Sequence, residues 1–370
     1  MNSQMILERD EGAVFALRSL YSGYGYSQYK MGKFEEYDLY VRNKSFLVSD
    51  HVITFTDTNG KLMALKPDVT LSIVKNSRDL PGKVQKVYYD ENVYRVPRGG
   101  LSFREIMQVG LECIGDIDAY CVSEVLTLAA QSLALLSEDY VLDVSHLGVM
   151  SALIDRMGVS EAVRGRILQC VGEKNAHGID SILADEGIDL SLALPLKRLM
   201  AAGGDCDTML SMLEEENCGA YAKELSEVLG ALRAVLPEGK IRMDFSVVND
   251  MNYYNGIVFK GFVNGIPTSI LSGGQYDNLM RKMGKKSGAI GFAVYLDLLD
   301  ELENKAAEYD TDVVLLYDET ASAVDVSRAV NRLVTSGERV IARKTVPTKL
   351  KYKKLMQLKD GEVATIETHA

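Results

Sequence analysis

The sequence is short of the residues from which metal centres and nucleophilic sites are usually built. Its four histidines, His51, His146, His177 and His369, lie far apart with neither HExxH nor HxH spacing, so they read as surface or loop residues and no metal site is expected. Five cysteines, Cys113, Cys121, Cys170, Cys206 and Cys218, are odd in number and include no CxxC pair. That argues against a disulfide framework and for reduced thiols. No GxSxG elbow and no cysteine in a nucleophile motif occurs, which leaves covalent catalysis without a candidate. Positive charge is also scarce: 41 Lys and Arg against 52 Asp and Glu give a formal charge of −11. Such a chain is a poor non-specific binder of nucleic acid or anionic membrane. No run of eighteen apolar residues exists and Met1 to Ser22 carries no apolar core, so the reading is a cytoplasmic protein with no membrane partner.

What is present is a globular composition, 47% apolar and 25% charged over 370 residues, enough for two or three domains with a full core. Val52–Asp57 and Lys61–Leu65 flank Thr58-Asn59-Gly60, a hairpin signal, and Lys66-Pro67-Asp68 then places a carboxylate at the start of a helix. Val84–Tyr94 and Ser102–Ile114 read as paired strands joined by a Pro/Gly loop. On the second, Arg104, Gln108 and Glu112 share one face with Ile106 and Gly110, while Met107, Val109, Leu111 and Cys113 take the other. Ala119–Ser137 has helical apolar spacing suited to covering that sheet.

From Ser145 to Leu236 the pattern becomes a series of short helices, with Ser160 an N-cap. Strands resume at Ile241–Val248, Ile257–Val263 and Thr268–Leu271; Gly273-Gly274 then reads as a break before a helix near Tyr276–Met283, and Gly288–Tyr295 as a last strand. The final segment reads strand Val313–Tyr317, helix Ala321–Val334 ended by Gly337, strand Val340–Ala342, helix Leu350–Leu358 and strand Val363–Ile366. The expected fold class is α+β. An antiparallel core spans 1–144 and 237–305, with a helical insertion at 145–236 and a small α/β domain at 311–370.

Two phosphate signals fail. Gly284-Lys285-Lys286-Ser287 resembles the end of a P-loop, but Leu279 stands where the first glycine must be. Lys349-Leu-Lys-Tyr-Lys-Lys354 reads as a solvated helix face. The remaining constellation is Asp68, Arg95, Arg104, Gln108, Glu112, Tyr253, Tyr254 and Tyr276, each of which taken alone is more often a structural hydrogen-bonding residue than a ligand contact.

Order and spacing change that reading. Leu65-Lys-Pro-Asp-Val-Thr70, Val93-Tyr-Arg95 with Phe103-Arg-Glu-Ile-Met-Gln-Val-Gly-Leu-Glu-Cys-Ile-Gly115, Asn252-Tyr-Tyr-Asn-Gly-Ile-Val-Phe259, and Gly273-Gly-Gln-Tyr-Asp277 with Gly291-Phe-Ala293 resemble histidyl-tRNA synthetase, a class II synthetase. The resemblance runs over about residues 5 to 305, and the final segment is similar to a shortened anticodon-binding domain. It implies a pocket for free histidine. Glu112 would accept an imidazole N–H, Tyr254 would meet the other side of the ring, and Tyr253 and Tyr276 would shape the walls. Asp68 and Gln108 would hold the ammonium group with Thr70 nearby, and Arg95 would face the carboxylate. Arg104 has no ligand role in this scheme.

Two departures count against synthesis. Asn249 stands where the family's Arg-Gly-Leu-Asp-Tyr-Tyr motif has an arginine, and Leu298 stands where motif 3 has the ATP-holding arginine. If each lost donor costs about 2.7–4 kcal/mol of transition-state stabilisation, activation slows by about 10⁴-fold or more. A histidine pocket kept without activation chemistry is similar to the family of ATP phosphoribosyltransferase regulatory subunits. That resemblance implies no catalytic residue and no cofactor here, a short-form catalytic subunit as partner, L-histidine as effector, and a homodimer within a hetero-oligomer; tRNA binding is not expected. A stand-alone amino-acid sensor of the same fold and a working ligase are the other classes compatible with these motifs.

Overall fold

A computed structural model describes residues 9–47, 51–79, 82–96, 102–248, 253–301, 309–346 and 349–369. The chain forms two compact units, Arg9–Asp300 and a smaller one from Glu301 onward. In the first, α1 (Arg9–Gly23), β1 (Ser27–Gln28), β2 (Phe34–Glu36), α2 (Tyr37–Arg42), β3 (Thr54–Thr56), β4 (Leu62–Leu65) and α3 (Thr70–Asn76) precede the long hairpin β5 (Val84–Arg95) and β6 (Arg104–Gly115). Then come α4 (Ala119–Leu136), β7 (Tyr140–His146) and six helices: α5 (Leu147–Asp155), α6 (Glu161–Gly172), α7 (Ala176–Asp185), α8 (Leu194–Ala202), α9 (Cys206–Glu215) and α10 (Gly219–Arg233). β8 (Ile241–Met243), β9 (Ile257–Val263), β10 (Leu271–Gln275), α11 (Asp277–Lys282) and β11 (Gly288–Tyr295) return to the sheet.

Strand order in the main sheet is β1-β5-β6-β11-β10-β9-β7-β8. The six inner strands pair antiparallel, and only the short edges β1 and β8 pair parallel. The pleat sends Val109, Leu111 and Cys113 of β6 to one face, where Phe259, Phe292 and the core helix α4 also bury. Asp118 starts α4 by accepting the Cys121 N–H at 2.8 Å. By length and composition this helix could cross a membrane, but 67% of it is buried inside the protein, as for the core helix of a globular domain.

The Asn59-Gly60 turn lies between paired β3 and β4, with Gly60 at φ +79°. Elsewhere tertiary context overrides local reading. Gly273 and Gly274 are not a break: they lie inside β10, because β-carbons there would collide with Phe259 and Phe292 at the first and with Tyr254 and Val258 at the second. The strand expected at Thr268–Leu271 accordingly starts at Leu271. The strand expected to run to Val248 ends at Met243, where Asp244 turns the chain by accepting the Ser246 N–H at 2.9 Å. His146 is neither loop nor surface. It is buried, and its Nδ1 caps α5 by accepting the Gly148 N–H at 3.0 Å. The end-of-P-loop look-alike is also occupied, since the Lys286 and Ser287 N–H groups donate to Asp79 at 3.1 and 3.2 Å.

The second unit holds β12 (Thr311–Leu316), α12 (Ala323–Thr335), β13 (Val340–Arg343), β14 (Tyr352–Lys359) and β15 (Glu362–Thr368), in sheet order β13-β12-β14-β15. The helix expected over Leu350–Leu358 is strand β14, so the lysine run is not a helix face. Leu355 and Leu358, three apart, are both buried from opposite sides of that strand, a spacing indistinguishable from one helical stripe. The deciding signal is Asp360-Gly361, at φ +51° and +79°, a two-residue hairpin turn into β15.

Candidate functional site

The sheet face opposite α4 carries a cavity of about 340 Å³. Its floor is built by register. Gly274, Gly291 and Glu112 lie side by side on β10, β11 and β6. In the next row stand Ser272, Ala293, Gly110 and Tyr89. These small residues leave the sheet bare, and a β-carbon at Gly291 would overlap the Glu112 carboxylate. The side chain of Glu112 thereby lies along the sheet.

Glu112 is 2% exposed and carries the strongest constraint in the cavity. Thr70, the first residue of α3, donates to its Oε1 at 2.7 Å, and the Tyr276 hydroxyl donates to its Oε2 at 2.6 Å. Burial raises its pKa from 4.5 to about 8; the two hydroxyls oppose the rise and the nearby Asp68 charge adds to it. Asp68 is pushed up by burial as well, against a Leu71 N–H at 2.8 Å and the charge of Arg95, both of which favour its carboxylate.

The loop bearing Asp68 is pinned from both sides. Buried Lys66 ion-pairs with Glu91 at 2.5 Å, and its carbonyl accepts the Tyr94 N–H at 2.9 Å. That contact brings Asp68 beside the end of β5, where Arg95 sits with its guanidinium 5.8 Å from the Tyr295 ring centroid. Tyr253 stacks against Tyr254 and Tyr276 at centroid separations of 4.6 and 5.8 Å and against Phe46 at 5.9 Å, forming an aromatic wall. Tyr253 and Tyr254 precede β9 and are not in a strand. Burial holds the Tyr89, Tyr253, Tyr254 and Tyr276 phenols well above their usual range, so all four stay neutral donors and acceptors.

The cavity brings together Asp68, Thr70, Arg95, Gln108, Glu112, Tyr253, Tyr254 and Tyr276, drawn from five separate segments, and Leu298 also lines it. Arg104 is exposed and does not line it. Asn249 lies outside the described residues. Reading the sequence missed Tyr89, Ser272 and Tyr295; the pleat of β5, which puts Tyr89 on the face of Arg95, was the available signal for the first. Tyr89, Arg95 and Gln108 are at most 8% exposed, and none of their side chains takes part in a hydrogen bond among the described residues. Buried polar groups left without partners around a cavity are preorganised for a polar ligand. Asp68, Glu112, Arg95 and Gln108 thus offer two acids, a guanidinium and an amide to the cavity, which Asp297 and Lys260 also line. No cluster of His, Cys, Asp or Glu fit for a metal occurs among the described residues.

The histidyl-tRNA synthetase family model matches residues 5–299. An ATP phosphoribosyltransferase regulatory subunit from Caldanaerobacter subterraneus subsp. tengcongensis is 30% identical over 76% of this chain and 75% of its own length. Among solved structures, an ATP phosphoribosyltransferase regulatory subunit/histidyl-tRNA synthetase from Bacillus halodurans C superposes with TM-score 0.73 at 23% identity, over 94% of this chain and 93% of that one. A chain of the ATP phosphoribosyl transferase (HisG:HisZ) complex from Thermotoga maritima does so with TM-score 0.62 at 19% identity, over 78% and 97%. The chain thus belongs to the histidyl-tRNA synthetase family, among the ATP phosphoribosyltransferase regulatory subunits.

Proposed function

We propose that this chain is the non-catalytic subunit that a short-form ATP phosphoribosyltransferase catalytic subunit requires for activity, and that L-histidine in the cavity mediates feedback inhibition. The observation that carries the proposal is a 340 Å³ cavity lined by Asp68, Glu112, Arg95 and Gln108, whose Arg95 and Gln108 side chains make no hydrogen bond among the described residues and whose acids and guanidinium complement a zwitterion with a hydrogen-bonding ring. In this reading Arg95 holds the carboxylate, Asp68 and Gln108 the ammonium, and Glu112 a ring nitrogen. Thr70 and Tyr276 fix Glu112, and Tyr254 meets the opposite ring nitrogen. Leu298 puts an apolar side chain in the cavity wall at the position where the resemblance has the ATP-holding arginine, so in this reading the pocket binds histidine without adenylating it.

Histidine regulates the partner only if it binds two arrangements of the hetero-oligomer with different affinity, and a difference of about 1–3 kcal/mol suffices for feedback. Gly273 and Gly274 are held in the sheet, so the responding segment is the one bearing Tyr253 and Tyr254. The test is phosphoribosyl-ATP formation by the catalytic subunit, alone, with this chain, and with added histidine. Activity should appear only with this chain and fall with histidine, and Glu112→Ala should remove the inhibition while leaving the activation. No activation at any ratio of folded proteins would sink the proposal.

A further inference from the structure

Glu112 is a buried acid that makes no ion pair among the described residues, although Arg95 and Lys260 line the same cavity. Its hydrogen-bond partners are two neutral hydroxyls, those of Thr70 and Tyr276. The charged group acting on it is another carboxylate, Asp68 before α3. Arg95, at the end of β5, acts instead on Asp68 and Tyr254. The other titratable groups around the cavity are the phenols of Tyr89 from β5, Tyr253 and Tyr254 before β9, Tyr276 before α11 and Tyr295 of β11, together with Lys260 of β9 and Asp297 after β11. Burial keeps the Tyr89, Tyr253, Tyr254 and Tyr276 phenols neutral across the physiological range, and none of Tyr295, Lys260 and Asp297 hydrogen-bonds to Glu112 or perturbs it. Each Glu112 oxygen already accepts one hydrogen bond and retains one lone-pair direction toward the cavity. A lone charge in that position is costly unless a proton or a cation arrives with the ligand.

We propose that Glu112 and the ring of the bound amino acid share a single proton, so that the pocket selects a basic N–H heteroaromatic side chain and binds it most tightly when one of the two partners, but not both, is protonated. This rests on the amino-acid-binding role proposed above. The balance is simple. In the empty pocket the proton resides on a Glu112 oxygen, and the incoming neutral ring presents an unprotonated nitrogen. On binding, that proton lies between the oxygen and the nitrogen, no bond to carbon changes, and nothing is exchanged with water. The second ring nitrogen keeps its hydrogen and donates it to the neutral Tyr254 hydroxyl. A phenyl or thiophene ring has no nitrogen to receive the proton, and a carboxamide is too weakly basic to share it.

The pH dependence follows from the two separate partners. Below about pH 6.5, the ordinary range of a free imidazole, the ring brings a second proton that must be shed, and affinity falls about tenfold per pH unit. Above about pH 8, Glu112 has lost its own, so the complex must take one from water and affinity falls at the same rate. Histidine affinity is therefore bell-shaped, with its plateau between these limits.

The experiment is isothermal titration of the full chain with L-histidine from pH 5.5 to 8.5, in pairs of buffers of different ionisation heat, which counts protons. Expected are release of nearly one proton per histidine at pH 5.5, almost none near pH 7.2, and uptake of most of one at pH 8.5. Glu112→Gln should abolish the alkaline uptake and keep the acid release. A histidine analogue carrying a 1,2,4-triazole, a far less basic ring, should abolish the acid release and keep the alkaline uptake. Histidine binding with the same affinity and no proton exchange throughout would overturn the shared proton while leaving the histidine pocket intact. An acid limb that persists with the triazole would also overturn it, placing that proton on Asp68. Absence of histidine binding at every pH would instead remove the amino-acid-binding role itself.

Discussion

Replacing Glu112 by Gln should stabilise the ligand-free protein, by an amount that grows with pH. A carboxyl whose pKa is raised on folding, here from 4.5 to about 8, leaves stability intact below the lower value and removes it as pH climbs through the upper one. The cost at full ionisation is about 5 kcal/mol at 1.36 kcal/mol per unit, and the part developed between pH 5 and pH 8 is about 3 to 4 kcal/mol. Glutamine is nearly isosteric and can keep both contacts: its Oε1 accepts from Thr70, and its Nε2 donates to the Tyr276 oxygen. Urea unfolding of both proteins from pH 5 to 8.5 without histidine isolates this group, because the other titrations cancel in the difference. The variant's advantage should widen steadily across that range. A difference constant to within about 1 kcal/mol would refute the argument, showing that the burial of Glu112 is relieved by water or by a counter-charge.

Tyr276→Phe removes the donor on Glu112 Oε2, should cost about 1–3 kcal/mol, and should push Glu112 higher still, moving the alkaline limb of histidine affinity to higher pH in the same titrations. Gly291→Ala places a methyl on the Glu112 carboxylate and should cost about 1–3 kcal/mol while abolishing the rise in Tm expected when histidine is added to the parent protein; a preserved rise would show that Glu112 reaches the ligand from another rotamer. Asp118→Ala, at the start of the buried helix on the opposite sheet face, should cost about 1 kcal/mol in urea unfolding with histidine affinity unchanged.

Glu112 and Gln108 were legible because the strand period is two: once β6 is recognised, the face that carries them is fixed whatever they touch. Asp68 was legible because Lys66-Pro67-Asp68 announces a helix start, and a carboxylate there finds an N–H donor within its own turn. Tyr295 and Ser272 gave no such signal, since they reach the site only through cross-strand register with Gln108 and Lys260. Gly273 and Gly274 misled for the opposite reason: glycine's freedom suggests a break, whereas its lack of a β-carbon is what β10 needs.

The sequence by itself determined the elements whose hydrogen bonds are local or whose period is regular: the Asn59-Gly60 hairpin, the face assignments on β6, α4 with its cap, and the order of motifs that names the family. Tertiary structure alone decided that five segments meet at one cavity, that His146 is a buried cap, that Leu350–Leu358 is a strand, and that burial pushes the Glu112 carboxyl above its usual range. Those outcomes depend on which surfaces cover a residue and remove it from water. Covering surfaces come from parts of the chain far away in sequence, so no local pattern encodes them.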